Sequence, residues 1–289
     1  MSPVSTCDLH LHTCYSDGRP SPEELLRYAA GAGMRTIAIT DHDNARGSRE
    51  AASLAADLGI ELIPAIELTC RWDACQLPAG QEDIDVLGYF VDLDRPSLQA
   101  REREALADIH ERVGSVCASL TAAGWPVTLE EALAENPRYA GYQQVAQALV
   151  RKGLAAGWWA GRELMAPHLA RIRPSRFTID QMIAAVCDAG GVAVLAHPTV
   201  AAYRGRRLEA PQVAELIEMG LGGIEVYHHA LDDEARRHFL ALARQLDLAV
   251  TGGSDDHGWP AGFPYLGSQP VTGELVEALR ARWQRAQRL

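Results

Sequence analysis

The stretch Thr6-Cys7-Asp8-Leu9-His10-Leu11-His12 decides the fold, because polar and apolar side chains alternate along it. A period of two is typical of a β-strand, and it places Asp8 and both histidines on one face and the apolar residues on the other. Three polar side chains on an interior face would be costly unless they pair or bind a ligand. We therefore predict a strand that presents two imidazoles to a binding site.

Further short apolar runs follow, with helical segments between them. One helix start is marked by Ser21-Pro22-Glu23-Glu24, which offers an N-cap serine, a proline in the first turn and a capping glutamate. Strands that alternate with helices predict an α/β fold with a parallel sheet. The seven predicted strands are Thr6–His12, Thr36–Thr40, Glu61–Ile66, Ile84–Gly88, Val192–Ala196, Gly223–Tyr227 and Leu248–Gly252.

A long interruption separates the fourth and fifth predicted strands. It reads as helical over Leu98–Leu120, Leu129–Leu133 and Gln143–Lys152, and it greatly exceeds the usual length of a βα connection. We predict a helical insertion subdomain over residues 96–174, within an α/β domain formed by residues 1–95 and 175–289. The alternative is an elongated helix layer. The pair Trp158-Trp159 would be a lid surface or core, and we expect core.

The formal charge of −11 disfavours a surface that follows long nucleic acid, because that mode needs a basic stripe. A small anionic substrate needs only a few arginines, although most charge runs are simply solvated surface. The candidate arginines form two clusters, Arg171, Arg173 and Arg176, and Arg204, Arg206 and Arg207.

The cysteines predict a reducing compartment, since the six of them are scattered without a disulfide-framework spacing. No apolar stretch is long enough to span a bilayer, and residues 1–13 lack a secretory pattern. We expect a cytoplasmic protein with no membrane partner; its oligomeric state is left open.

Further polar clusters follow directly after other predicted strands: Asp41-His42-Asp43, Glu67, His197-Pro198 and Asp255-Asp256-His257. The carboxyl ends of parallel strands meet at one edge, where binding groups converge. Any one of these histidines has an ordinary explanation as a structural residue, but together they indicate a metal site. Imidazole and carboxylate ligands suit Zn²⁺, Mn²⁺ or Fe²⁺ better than Ca²⁺.

These residues fall into motifs that together resemble the PHP (polymerase and histidinol phosphatase) family. The motifs are D-L-H-L-H-T at Asp8–Thr13, Y-S-D-G at Tyr15–Gly18, I-T-D-H-D at Ile39–Asp43, E-L-T at Glu67–Thr69, A-H-P at Ala196–Pro198 and G-G-S-D-D-H-G at Gly252–Gly258.

The resemblance implies a distorted seven-stranded (β/α) barrel that holds two to three divalent cations. We expect manganese first, with zinc, iron or magnesium as alternatives. On the family pattern the three ligand sets are His10, His12, Glu67 and Asp255; Glu67, residue 85 and His197; and Asp17, His42 and His257.

Two positions depart from the family pattern. The family usually has histidine where this chain has Asp85, and an oxygen donor there weakens the case for zinc at the second metal. Relatives often read G-R-P-H-x-A where this chain has Gly141-Tyr142-Gln143-Gln144-Val145-Ala146, so a substrate contact inherited at that place is in doubt.

Within the family, the helical insertion and the run Tyr227-His228-His229 resemble the group that removes the 3′-phosphate from nucleoside 3′,5′-bisphosphates; some members also trim short RNA from its 5′ end. We expect hydrolysis by a metal-activated water, Asp255 as an essential ligand and His197 or His229 as the proton donor. His228 is a candidate substrate contact, since adjacent residues on a strand would not both face the site. The alternatives are a histidinol-phosphate phosphatase, or another small phosphomonoesterase, and a non-catalytic nucleotide-binding module.

Overall fold

The computed structural model of the chain describes residues 5–72, 83–198, 208–259 and 262–288. Within these ranges the strands are β1 (Cys7–Asp8), β2 (Thr36–Ala38), β3 (Glu61–Ile63), β4 (Ala65–Arg71), β5 (Asp83–Tyr89), β6 (Val192–Leu195), β7 (Leu221–Tyr227) and β8 (Ala249–Gly252). The helices are α1 (Pro22–Gly31), α2 (Arg46–Asp57), α3 (Pro96–Ala122), α4 (Leu129–Glu135), α5 (Tyr142–Arg151), α6 (Trp158–Leu169), α7 (Ile179–Asp188), α8 (Ala210–Glu218), α9 (Asp233–Gln245) and α10 (Gly273–Ala286).

The strands form two sheets, one in the order β1-β2-β3 and one in the order β4-β5-β6-β7-β8. The mixed α/β class is confirmed, but the expectation of a wholly parallel sheet is wrong, because β5 runs antiparallel to β4 and β6. Only eleven positions, 72–82, separate β4 from β5 in the sequence. A parallel return usually needs a crossover of about a dozen residues or more.

The predicted strand Glu61–Ile66 is in fact two strands that meet at Pro64. Proline has no N–H for a sheet ladder, and the chain changes sheet there, since β3 ends at Ile63 and β4 begins at Ala65. Strand β4 then continues beyond the predicted end, to Arg71. This break is why eight strands are seen in the described ranges where seven were predicted.

Backbone contacts join the two sheets on both sides. After β2, Asp43 N donates to Glu67 O at 2.7 Å, beside a parallel bridge between His42 and Glu67. After β1, Asp255 N donates to His10 O at 2.9 Å. The segments that follow β1, β2 and β8 are therefore brought to Glu67 of β4. The closed seven-stranded barrel stays a prediction.

Helices α3 to α6 make up the segment predicted to be an insertion. The three predicted helices are confirmed as α3, α4 and α5, and α6 was not foreseen. Within the described part of the chain, these helices share a hydrophobic cluster that includes Val113, Leu120 and Leu149, all fully buried. The exact boundaries 96 and 174 stay a prediction.

Helix α1 begins with the cap that the sequence predicts. Ser21 Oγ accepts from Glu24 N at 3.2 Å and Glu24 Oε2 accepts from Ser21 N at 2.8 Å, which is the predicted capping box of α1. Among the described helices, none has both the length and the apolar character needed to cross a bilayer.

Candidate metal centre

His10 and His12 lie at the centre of the site and are fully buried. Strand β1 ends at Asp8, and beyond it Leu9 and Leu11 are also fully buried, each in a hydrophobic cluster. A Cβ at Gly253 would lie 2.3 Å from the Cβ of His10, so only glycine lets the segment after β8 pass this close. Gly253, in the G-G-S-D-D-H-G motif, thus lets the chain bring Asp255 close to the two histidines.

The predicted ligands converge from strands β4 and β5 and from the segments that follow other strands. Their ligand atoms form overlapping groups, each with all atoms within 4.8 Å of one another. Three of these groups consist of predicted ligands alone: His12, Asp17, His42 and His257; His10, His12 and Glu67; and His42, Glu67 and Asp85. Two more groups include residues not predicted as ligands: His10, Glu225 and His228; and His228, His229 and Asp255.

Several buried ligand atoms have no hydrogen-bond partner among the described residues: His12 Nε2, Asp17 Oδ1 and His42 Nδ1. A buried polar atom left unsatisfied costs about 1–3 kcal/mol, and coordination to a cation is one way to satisfy it. His12 Nε2 lies 3.0 Å from Asp255 Oδ1, and His257 Nε2 lies 3.1 Å from Asp17 Oδ1. The donor set therefore fits bound divalent cations.

Carboxylates dominate the electrostatics of the cluster. Burial opposes charge on His42, but Glu67 and Asp17 outweigh it and raise the pKa of that imidazole to about 9. For His257, Asp17 and Asp255 overcome burial and raise the pKa to about 10. Such a concentration of negative charge attracts cations.

His12 behaves differently from its neighbours. Burial and the nearby His257 lower the pKa of His12 to about 4, so its ring is neutral at pH 7. A neutral imidazole has a free lone pair and is the form that ligates a metal.

Asp85, where the sequence departs from the family pattern, does reach the cluster. Its Oδ2 lies 3.8 Å from His197 Nε2, and its Oδ1 accepts from Thr69 Oγ1 at 2.8 Å. Burial and the like charge of Glu67 raise the pKa of Asp85 to about 6. His197 Nε2 also lies 3.1 Å from Glu67 Oε1, so both carboxylates lie near His197; their role as the second ligand set stays a prediction.

Backbone strain is concentrated at this site. His197 and Asp255 have φ of 25° and 55°, and Asp43, next to His42, has φ of 57°. Non-glycine residues in this region cost about 1–3 kcal/mol each, and such strain is typical of functional sites.

Glu225 is a site residue that the sequence prediction missed. It lies in β7, is fully buried and accepts from His197 N at 2.9 Å, while its other oxygen lies 2.9 Å from His10 Nδ1. Burial opposes it, but the His10 ring helps to lower the pKa of Glu225, so the charged carboxylate accepts and His10 Nδ1 donates, while His10 Nε2 faces Glu67 at 3.2 Å. The sequence feature that could have identified Glu225 is its position as the single charged residue in an otherwise apolar strand.

Asp8 shares the face of the two histidines but holds the backbone instead of joining a ligand group. Its carboxylate accepts from Ser254 N and Gly267 N, both at 2.9 Å. Burial raises its pKa to about 6 although these bonds oppose the shift. Asp41 has a similar role, since it accepts from Thr13 N at 2.7 Å.

Both histidines of the Tyr227-His228-His229 run approach Asp255, so the expectation that only one would face the site is wrong. Strand β7 ends at Tyr227, and beyond it the strict alternation of side chains no longer applies. His228 is buried, with Nε2 3.3 Å from Asp255 Oδ2 and Nδ1 accepting from Ala230 N at 3.1 Å. The exposed His229 lies against its ring, with centroids 4.2 Å apart.

The predicted substrate arginines are not brought to the histidine cluster where they can be described. Arg173 and Arg176 both pair with Asp108 and Glu111 of α3. They line a shallow depression that shares no described residue with the pocket beside Asp255. Arg171 is exposed. Arg204, Arg206 and Arg207 lie outside the described residues.

A pocket of about 720 Å³ opens beside the cluster. The lining residues are Gln143, Trp158, Trp159, His229, Asp255, Asp256, His257, Trp259 and Tyr265. The helical segment thus contributes to the wall of the same pocket as the predicted ligands Asp255 and His257. Trp159 is 74% exposed, so the expectation that it is core is wrong.

Comparisons with known proteins identify the family of this chain. The family model described as "PHP domain" matches residues 8–170. A phosphoribosyl 1,2-cyclic phosphate 1,2-diphosphodiesterase of Eggerthella lenta is 32% identical over 90% of this chain and 97% of its own. A 3′,5′-nucleoside bisphosphate phosphatase of Chromobacterium violaceum is 30% identical over 97% of this chain and 96% of its own.

A solved structure gives the same result for the fold. The crystal structure of a presumed metal-dependent phosphoesterase from Bifidobacterium adolescentis superposes with a TM-score of 0.82. It is 29% identical, and the match covers 97% of each chain. With the sequence motifs, the converging ligands and these relatives in agreement, the chain belongs to the PHP domain family of phosphoesterases.

Proposed function

We propose that this protein is a metal-dependent phosphatase that removes the 3′-phosphate from nucleoside 3′,5′-bisphosphates. The observation that carries the proposal is the position of Asp255 and His257, which belong to the ligand groups and also line the pocket of about 720 Å³. A cavity of this size accommodates a nucleotide. The relative named 3′,5′-nucleoside bisphosphate phosphatase, 30% identical along nearly the whole chain, supports the choice.

Two to three divalent cations, manganese first, would be held by the three ligand sets expected from the family. Bound cations of this kind supply Lewis acidity and lower the pKa of a coordinated water. Glu67 is central to the arrangement, because its two oxygens lie 3.2 Å from His10 Nε2 and 3.1 Å from His197 Nε2. It would contribute to both of the first two sets.

We assign proton transfer to the leaving oxygen to His229 in preference to His197. His229 is exposed and lines the pocket, whereas His197 lies against Glu67 and Asp85. The pKa of His229 is lowered, first by the partial burial of its ring and then by the neighbouring His228. The lowered pKa makes its imidazolium a stronger acid, although a smaller fraction is charged at pH 7.

A cyclic phosphodiester is the second candidate substrate, because the Eggerthella lenta relative named for that activity is 32% identical to this chain. A substrate panel with Mn²⁺ tests the choice: adenosine 3′,5′-bisphosphate, phosphoribosyl 1,2-cyclic phosphate, histidinol phosphate and a short 5′-phosphorylated RNA.

We expect the highest kcat/KM for the bisphosphate, with inorganic phosphate and adenosine 5′-monophosphate as products. A preference for histidinol phosphate or the cyclic diester would overturn the proposal. Preferred release of mononucleotides from RNA would replace it with exonuclease activity. No hydrolysis of any substrate would favour a non-catalytic nucleotide-binding module.

A further inference from the structure

Four aromatic side chains, here called the aromatic wall, line the pocket beside the predicted metal ligands: Trp158, Trp159, Trp259 and Tyr265. Two of them are unusually open, with Trp159 74% exposed and Tyr265 57% exposed. Tryptophan is highly buried on average in folded proteins. Rings left uncovered inside a cavity offer flat apolar faces to a ligand.

The aromatic wall is held in place by neighbouring groups: Arg19 lies over the Trp259 ring at 5.7 Å, while the rings of Trp159 and Tyr265 stay largely exposed. Trp259 Nε1 donates to Asp17 O at 3.2 Å, which fixes this ring to the loop that carries a predicted metal ligand. The Trp159 ring meets Trp158 edge to face, with centroids 4.6 Å apart, and Arg162 packs on the Trp158 ring at 5.1 Å. The wall is therefore preorganised from two parts of the chain, since Trp158 and Trp159 belong to the helical segment and Trp259 and Tyr265 come after β8.

We infer that this aromatic wall binds the nucleobase of the substrate by stacking, while the phosphate lies at the ligand cluster. The inference rests on the proposed function, and it makes Trp159 of α6 a specificity-determining residue. A planar base suits flat rings, and stacking tolerates any base because each has a π face. Substrates with a base would thus be preferred over phosphorylated sugars that lack one.

The test compares adenosine 3′,5′-bisphosphate with 1-O-methylribose 3,5-bisphosphate, which lacks the base. For the wild-type protein we expect the KM of the base-free compound to be about 5- to 150-fold higher, from the usual strength of stacking on an aromatic side chain. Trp159→Ala should bring this ratio close to one, and Trp159→Phe should retain most of it. The exposed Met219, which does not line the pocket, provides the control Met219→Ala.

Trp159→Ala should fold, because the exposed Trp159 side chain contributes little to the core. As a second variant, Tyr265→Ala should lower the ratio of the two KM values in the same direction. Calorimetric binding of adenosine 5′-monophosphate with Mn²⁺ separates the two claims. If neither bisphosphate is hydrolysed but Trp159→Ala weakens this binding by about 5- to 150-fold, the proposed function fails and the stacking wall stands. If both are hydrolysed with equal KM, or Trp159→Ala alters neither the ratio nor the binding, the inference is overturned.

Discussion

Replacing Glu225 with glutamine tests whether a buried carboxylate outside the predicted ligand set organises the metal centre. One of its oxygens lies 2.9 Å from His10 Nδ1 and the other accepts from His197 N at 2.9 Å. Each of these two nitrogens needs an acceptor oxygen on residue 225. Glutamine keeps the size of the side chain but has only one oxygen, so its amide group would face a donor at one of the two positions.

The size of the effect follows from this mismatch. A buried donor without an acceptor costs about 1–3 kcal/mol, and loss of a carboxylate partner of a metal-binding histidine typically lowers metal affinity by about 10- to 100-fold. We therefore expect Glu225→Gln to raise the Kd for Mn²⁺ by about 10- to 100-fold, measured by calorimetry against a competing chelator. Glu218→Gln, at an exposed position on α8, is the matched control. A Kd within twofold of the wild type, in a folded variant, would refute this role of Glu225.

Three further predictions concern the ligand set and the helical segment. Asp85→His should shift the metal preference from Mn²⁺ towards Zn²⁺, because imidazole replaces an oxygen donor; an unchanged ratio of the two Kd values would contradict this. Because carboxylates raise the pKa of His42 and His197 to about 9 and that of His257 to about 10, protons compete with the metal below these values. The affinity for Mn²⁺ should rise between pH 6 and 9 by about tenfold per unit for each proton displaced, and a flat calorimetric profile would oppose this. Leu149→Ala, at a fully buried position in the helical segment, should lower the free energy of unfolding in urea by about 2–5 kcal/mol, and a loss below about 0.5 kcal/mol would show that this cluster is not a packed core.

The residues that converge at the site could be picked out from the sequence because their signals are local. The alternation around His10 and the polar residues directly after the strands need no knowledge of distant contacts. Glu225 could not be assigned in the same way, since its role depends on meeting residue 10, which lies 215 positions away. A single buried glutamate in a strand has many possible partners until the sheet order is known.

Several outcomes depend on tertiary contacts that the sequence does not reveal. The cluster of Arg173 and Arg176 indicated a phosphate site, but α3 supplies carboxylates at Asp108 and Glu111 that pair with both guanidinium groups. The exposure of Trp159 depends on how α6 lies against the pocket, which hydrophobicity alone does not determine. The reversed direction of β5 followed from a short connection that the periodicity of apolar residues did not reveal.

The central claim, that hydrolysis depends on divalent cations held by the converging histidines and carboxylates, is tested most directly by Asp255→Asn. Asp255 Oδ1 lies 3.0 Å from His12 Nε2 and 3.4 Å from His10 Nε2, so the variant keeps the shape and removes the charge. Bound metal and phosphate release from adenosine 3′,5′-bisphosphate would be measured together, with Asp57→Asn at an exposed position on α2 as the control. We predict that Asp255→Asn loses bound metal and nearly all hydrolysis while Asp57→Asn matches the wild type. Unchanged hydrolysis in Asp255→Asn would contradict the account.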